Sequence, residues 1–499
     1  MVVDKRIYQK VLLTKKLIKK VFLHERYITD AILASFVSRS HVLLLGERGS
    51  GKTHVMESLL NMSDPRITSM VQGYLGAEME DIFARPHIPS LLQGDETVIW
   101  KSPVTSVLKG FDEVQRLGVG ALSALFRLLT KGTVLYLDQE EGEPLFWVVA
   151  TANPWERGND QLNISLPEPL VDRFDVVVVV PNAKLKHQLQ IDERLERMKN
   201  DLPMIWSKDE LIALWKEVER IKIPKDIKLI ITLMNRIMQF CKNAECNDAS
   251  TIDPEKKREM CAQCNQSYIC SMIARPPSVR PLLSLMKLVR GFAFIDGRDT
   301  VTLDDVRKAF PFIYRHRIEF MDEHEIVNKK KKLDELCERL IQEILEVKEA
   351  FEIIDKLRQK YDEGLYKKLE QYTNAKPWMI EVKEIIDDYY EEKHEDTYLK
   401  FLSTSDVVKK AKIYYVVKKK LPRKFLDAYK FDVKIRAKIT PKVLATFGRE
   451  FPEWYTVLKS LREQYGQEVE LSGELAILYI AFFPNQFSLI SFSEKKNEG

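Results

Sequence analysis

The sequence predicts an α/β fold: a parallel-sheet domain over residues 1–181, then an all-α domain, then a mainly helical C-terminal extension. Three observations predict it. Short apolar segments alternate with helical stretches through the first 181 residues, as in a parallel sheet with crossover helices. The segment Asp175-Val-Val-Val-Val-Val180 is β-branched after its first residue, as a strand covered on both faces should be. A glycine-rich loop, Gly46 to Thr53, follows directly on the apolar run His41-Val-Leu-Leu-Leu45.

The strands expected are His41–Leu45, Ile67–Val71, Val104–Phe111, Trp147–Thr151 and Asp175–Val180. Residues 182–322 read as helices broken by a polar, cysteine-bearing stretch. Beyond them, Leu333, Leu336, Leu340, Ile344, Val347, Phe351 and Ile354 recur at steps of three and four. That spacing predicts a helical hairpin or coiled-coil stalk over 323–396, with Lys329–Lys332 as its solvated start. Residues 397–499 mix helical and strand-like pieces and suggest no role.

The 499-residue chain carries 78 basic and 74 acidic residues, a net charge of only +4. Interspersed charge of both signs leaves no electrostatic footprint for a dedicated nucleic-acid binder. The stretch Lys10–Leu23 places Val11, Leu12, Leu17, Ile18, Val21 and Phe22 on one side, but its lysines deny it the apolar centre of a signal peptide. It reads as a first helix packed on the sheet domain rather than one lying on a membrane. The apolar run Leu475–Phe483 is too short to span a bilayer. A cytoplasmic location with no membrane partner is the expectation.

The loop Gly46-Glu47-Arg48-Gly49-Ser50-Gly51-Lys52-Thr53 matches G-x-x-x-x-G-K-[ST], in the required context of strand, loop and helix. Glycines let backbone N–H groups curl around a β-phosphate, toward which the following helix points its positive end. Lys52 is placed to bridge β- and γ-phosphates, and the Thr53 hydroxyl to ligate Mg²⁺, so ATP and Mg²⁺ are the cofactors implied. Downstream, Asp112-Glu113 closes a strand: Asp112 to hold the magnesium ion, Glu113 to polarise the attacking water. Lys109 and Gly110 are unusual inside such a strand. The strand Trp147-Val-Val-Ala-Thr-Ala-Asn153-Pro154 ends in an amide that suits the γ-phosphate and lytic water, although Asn before Pro is also a turn opener. Arg173, next to Asp172, reads either as a surface ion pair or as an arginine finger for a neighbouring subunit.

Five of the six cysteines crowd into 241–270. The spacing of Cys261 and Cys264, with Cys246 and either Cys241 or Cys270 to complete four ligands, allows zinc, but free buried thiols are the preferred reading, ahead of a disulfide and then zinc.

Taken together, these motifs resemble the MoxR family of AAA+ ATPases, in the helix-2-insert clade. The residues that carry the resemblance are His41-Val-Leu-Leu-Leu-Gly with the loop, Lys101-Ser-Pro-Val-Thr leading to Asp112-Glu113, Ala150-Thr-Ala-Asn-Pro, and Leu166-Pro-Glu with Asp172-Arg-Phe. Gly291–Val306 and Arg315-His-Arg317 are similar to the end of that family's lid, over a resemblance reaching about residue 322. It implies that Arg280, in Pro276-Pro-Ser-Val-Arg280, contacts the γ-phosphate from the lid, with Arg275 as substitute. It further implies a hexameric ring, a helical insertion near Gly73–Ser90, and chaperone-like remodelling of protein clients, among them proteins with von Willebrand factor A domains. A helical arm after the lid is similar to the RavA branch. A nucleic-acid-translocating motor of the same clade is the alternative, and the sequence shows no basic-aromatic stripe for it.

Overall fold

The computed structural model describes residues 4–22, 24–153, 166–188, 202–263, 269–321 and 329–493. They fall into two compact units, 1–345 and 346–499.

The first unit is built on a five-stranded sheet of β1 (Val42–Leu45), β2 (Thr68–Gln72), β3 (Leu108–Asp112), β4 (Trp147–Ala152) and β5 (Val176–Val179). The order across it is β2-β3-β4-β1-β5, and every neighbouring pair is parallel. All side chains of β1, β3 and β4 are buried, which is why β1 reads as an unbroken apolar run and β4 as one broken only by Thr151. The strand expected to open at Val104 opens at Leu108, because Ser102–Thr105 forms a helical turn with Pro103 in its first positions.

The two odd residues of β3 have separate explanations. Gly110 lies under the helix Lys52–Asn61, where a Cβ would stand 2.7 Å from Leu60 Cδ1. Lys109 is fully buried, and its ammonium donates to the carbonyls of Val104 (2.8 Å) and Ser106 (2.5 Å). Burial pushes it down to about 7, partly opposed by Glu143.

The first helix, Lys5–Val21, packs against the helices Arg26–Val37 and Lys52–Asn61. It buries Ile7, Val11, Thr14, Ile18 and Val21, whereas Leu12 faces solvent. Between β2 and β3 the expected helical insertion is a β-hairpin, Ala84–Pro86 with Val98–Trp100. Its helical content is single turns at Met79–Ile82 and Ile88–Leu91, on either side of the strand Ala84–Pro86. The lid helices are Lys208–Glu219, Lys225–Gln239, Arg280–Ile295 and Leu303–Tyr314, and Ile273–Arg275 pairs with Glu319–Phe320 in a small antiparallel ladder.

The expected stalk is a cluster of helices instead. Lys330–Glu346 buries Leu333, Leu336, Leu340 and Ile344, and the first unit ends at Leu345. In the second unit, Lys348–Gln359, Glu363–Ala375 and Ile380–Leu402 pack on one another. A three-and-four spacing describes a bundle as well as a coiled coil, and the non-helical Val347 and extended Lys360 prevent a continuous rod. Next come a helix, Val407–Lys420, and an antiparallel sheet of β6 (Asp432–Lys438), β7 (Glu468–Ser472) and β8 (Phe487–Ser493), with β6 in the centre. The apolar run near residue 480 is the buried helix Gly473–Phe482. No described helix is long and apolar enough to cross a membrane.

Candidate nucleotide-binding site

The phosphate loop leaves the carboxyl end of β1, between β4 and β5. Gly49 and Gly51 take positive φ (77° and 89°), and Gly51 caps the helix Lys52–Asn61, so the loop's N–H groups and the helix start face one hollow. Gly46 N–H donates to Ala152 O at 3.3 Å, which ties the loop to the end of β4.

Lys52 lies back along this loop, donating to Gly46 O (2.7 Å), Glu47 O (2.9 Å) and Asn153 Oδ1 (3.3 Å). Burial lowers its proton affinity, and Asp112, Glu113 and Glu47 counter that. Thr53 Oγ1 donates to Asp112 Oδ1 at 2.8 Å. The loop, the acidic pair and Asn153, which are distant in sequence, therefore converge. Whether polyphosphate suits this hollow can be judged from its orphans. Among the described residues, Asn153 Nδ2 and Ser50 Oγ are buried without a hydrogen-bond partner, and both suit phosphate oxygens. Thr53 and Asp112, a hydroxyl and a carboxylate already in contact, are the hard oxygen donors Mg²⁺ takes.

Glu113 sits just past β3 in the left-handed region (φ 49°, ψ 47°), a conformation costing on the order of 1–2 kcal/mol for a side chain of this kind. Its carboxylate pairs with Arg116 at 3.0 Å. Its N–H donates to Thr151 Oγ1 at 3.0 Å, and that hydroxyl in turn donates to Asp112 Oδ1. Neither Thr151 nor Arg116 was singled out from the sequence. Thr151 lies within Ala150-Thr-Ala-Asn153, so an alternating strand ending beside the acidic pair was the available signal.

Arg173 and Arg280 lie elsewhere. The register Val42↔Val176 puts Arg173 at the amino edge of the sheet, on the order of 10 Å from the loop edge at about 3.3 Å per residue. Its guanidinium stacks 4.6 Å over Phe126, and its buried Nε lacks a partner. Burial and the neighbouring Arg280 lower its proton affinity. Asp172 is engaged not by Arg173 but by Arg280 and by Arg317 (Nε to Oδ1, 2.9 Å). Arg275 pairs with Glu168. Neither Arg173 nor Arg280 contacts the loop or acidic pair of its own chain among the described residues; the two stand beside each other instead.

The candidate zinc ligands are only partly described. Cys246 is exposed on a turn with φ 51°, Cys264 lies outside the described residues, and no group of three or more ligand side chains converges among those described. Cys241, Cys261 and Cys270 instead border a void of about 20 Å³ beside the buried Lys257, whose ammonium donates to Ile273 O at 2.6 Å. None of the described cysteines is in a disulfide.

Comparison with known proteins agrees with this geometry. Residues 41–174 match the AAA domain of the dynein-related subfamily, and residues 272–336 the AAA lid domain. The chain is 23% identical over 316 residues to the uncharacterized protein YeaC of Bacillus subtilis, covering 60% of this chain and 84% of that one. It is 23% identical over 302 residues to the chaperone MoxR1 of Mycobacterium tuberculosis, covering 60% of this chain and 73% of that one. The crystal structure of a putative ATPase from Cytophaga hutchinsonii shares the fold: TM-score 0.53 at 22% identity, over 67% of this chain and 94% of that one. Sheet, loop and lid thus define a AAA+ ATPase. Within that class the chain is similar to the MoxR-like proteins.

Proposed function

We propose that the chain binds ATP with Mg²⁺ at Gly46–Thr53 and hydrolyses it between neighbouring subunits of a ring, driving chaperone-like remodelling of protein clients. The observation that carries this reading is the separation of the two charged sets. Lys52, Thr53, Asp112, Glu113 and Asn153 share one edge of the sheet, while Arg173 and Arg280 share the other. In this reading Lys52 neutralises the β- and γ-phosphates, Thr53 and Asp112 hold the metal, and Glu113 takes a proton from the attacking water while Asn153 orients it. Bound Mg²⁺ supplies charge neutralisation across the phosphate oxygens. Arg173 and Arg280 reach the γ-phosphate of the next subunit, which closes the site only in a ring. A hexamer, and clients bearing von Willebrand factor A domains, follow from the MoxR likeness.

Mixing two inactive variants tests it. Arg173→Ala keeps an intact loop, and Lys52→Ala keeps an intact arginine edge, so their mixed assemblies should regain ATP hydrolysis that neither shows alone. Confirmed co-assembly without any return of activity, or full turnover by a monomer, would refute action between subunits.

A further inference from the structure

We infer that Thr151 is a positioning residue, resting on the nucleotide reading above: its hydroxyl clamps the metal-binding carboxylate of Asp112 and the left-handed backbone of Glu113 to β4.

The ladder between β3 and β4 ends with Phe111 opposite Ala150. One step further along, Asp112 and Thr151 face each other, and Glu113 turns out of the strand. Backbone pairing to β4 stops there, and a side chain takes over. Thr151 is fully buried, and Glu113 N–H donates to its Oγ1 at 3.0 Å. The hydroxyl proton goes to Asp112 Oδ1. A hydroxyl has one proton and two lone pairs, so it can serve both partners at once, which neither a methyl nor a purely accepting group can do.

The consequence concerns the metal. Asp112 Oδ1 accepts from Thr53 as well as from Thr151. The Thr53 hydroxyl would be shared between Asp112 and Mg²⁺, whereas Thr151 donates to Asp112 from within the sheet and keeps the carboxylate aimed. The same hydroxyl holds the backbone of Glu113, so the metal-binding carboxylate and the base of the Glu113 side chain share one anchor.

Three variants of the full chain test this. Thr151→Val keeps shape and removes both bonds; Thr151→Ser keeps the hydroxyl; Thr151→Cys replaces Val if Val does not fold, keeping bulk with a weak donor. The first readout is the Mg²⁺ concentration that half-saturates binding of a fluorescent ATP analogue. It should rise about ten- to hundredfold in Thr151→Val, the span of one hydrogen bond to a charged group, and stay within about threefold in Thr151→Ser. The second readout needs no nucleotide: exchange of the Glu113 amide should accelerate in Thr151→Val and stay slow in Thr151→Ser. Unchanged Mg²⁺ dependence with an equally protected Glu113 amide in Thr151→Val would overturn the inference, as would a Ser variant that behaves like Val. If the parent chain bound no ATP analogue at any Mg²⁺ concentration, the nucleotide reading would fail, while amide exchange would still decide whether the clamp exists.

Discussion

The two edges of the five-stranded sheet hold their polar groups in opposite ways. At the carboxyl edge, Lys52 is folded onto loop carbonyls, while Asn153 and Ser50 keep buried polar atoms with no partner among the described residues. At the amino edge, commitment is nearly complete. Asp175 accepts from His41 N–H (3.0 Å) and Ser284 Oγ (2.6 Å), with Lys287 at 3.5 Å. Burial opposes its ionisation, but Lys287, His41, Ser284 and Arg317 outweigh that and hold its carboxyl below the usual range. Arg317, almost wholly buried, donates to Asp172 and to the carbonyls of Asp172, Phe174 and Asp175. Arg173 is an exception, resting on a ring with an Nε that has no hydrogen-bond partner among the described residues. Unpaired donors cost stability, so an edge that keeps them is built for a ligand, whereas a fully paired edge is built for rigidity. Arg173, on this otherwise committed edge, is the arginine that the proposed function assigns to a neighbouring subunit.

This contrast can be broken at several points. The largest effect should come from the loop. Lys52→Ala removes the cation facing the phosphates and should abolish measurable ATP binding, whereas Glu113→Gln should keep binding and lose turnover. Equal hydrolysis by Glu113→Gln and the parent would show that the acidic pair is misassigned. On the rigid edge, Arg317→Ala leaves Asp172 with Arg280 alone and strips a donor from the carbonyls of Asp172, Phe174, Asp175 and Ile313. It should lower stability by about 3–5 kcal/mol, read as the urea midpoint, while Lys52→Ala leaves that midpoint near the parent value.

A smaller effect should appear on acidification. His41 Nδ1 accepts from Val148 N–H at 3.2 Å, and burial holds the ring down to about 4 from 6.5. Between those values the unfolded chain binds a proton that the folded chain refuses, so stability should be full above pH 6.5 and decline toward pH 4. His41→Asn, which keeps an acceptor but does not titrate, should flatten that decline in denaturation midpoints measured across the range. An unaltered slope would place the titrating group elsewhere. The smallest effect belongs to Cys246→Ser: at an exposed turn outside the thiol-lined void it should shift stability by no more than about 0.5 kcal/mol.

Much of this was legible in the sequence where the controlling interactions are short-range. The phosphate loop needs only its own glycines and the strand before it, so Gly46–Thr53 could be read directly. The valine run of β5 and the apolar runs of β1 and β4 announced burial on both faces, because a covered strand tolerates little else. The contact of Asp112 with Thr53 follows from the same logic, since a strand carrying Asp112 ends at the loop's edge of a parallel sheet. The mixed hairpin near Gly73–Ser90 and the packed cluster after residue 346 were not legible. Helical spacing says that a face is apolar, not what covers it.

By itself, then, the sequence determined the parallel sheet, the loop and the chemical types at its mouth, because each depends on neighbours within a few residues. Tertiary structure alone decided which groups meet. Thr151 reaches Asp112 across 39 residues, and Arg280 reaches Asp172 across 108, taking the lid arginine away from its own loop. Such pairings depend on the order in which strands lie in the sheet and on where the lid folds back. Those follow from the packing of whole faces, which leaves no mark on the local pattern of any one segment.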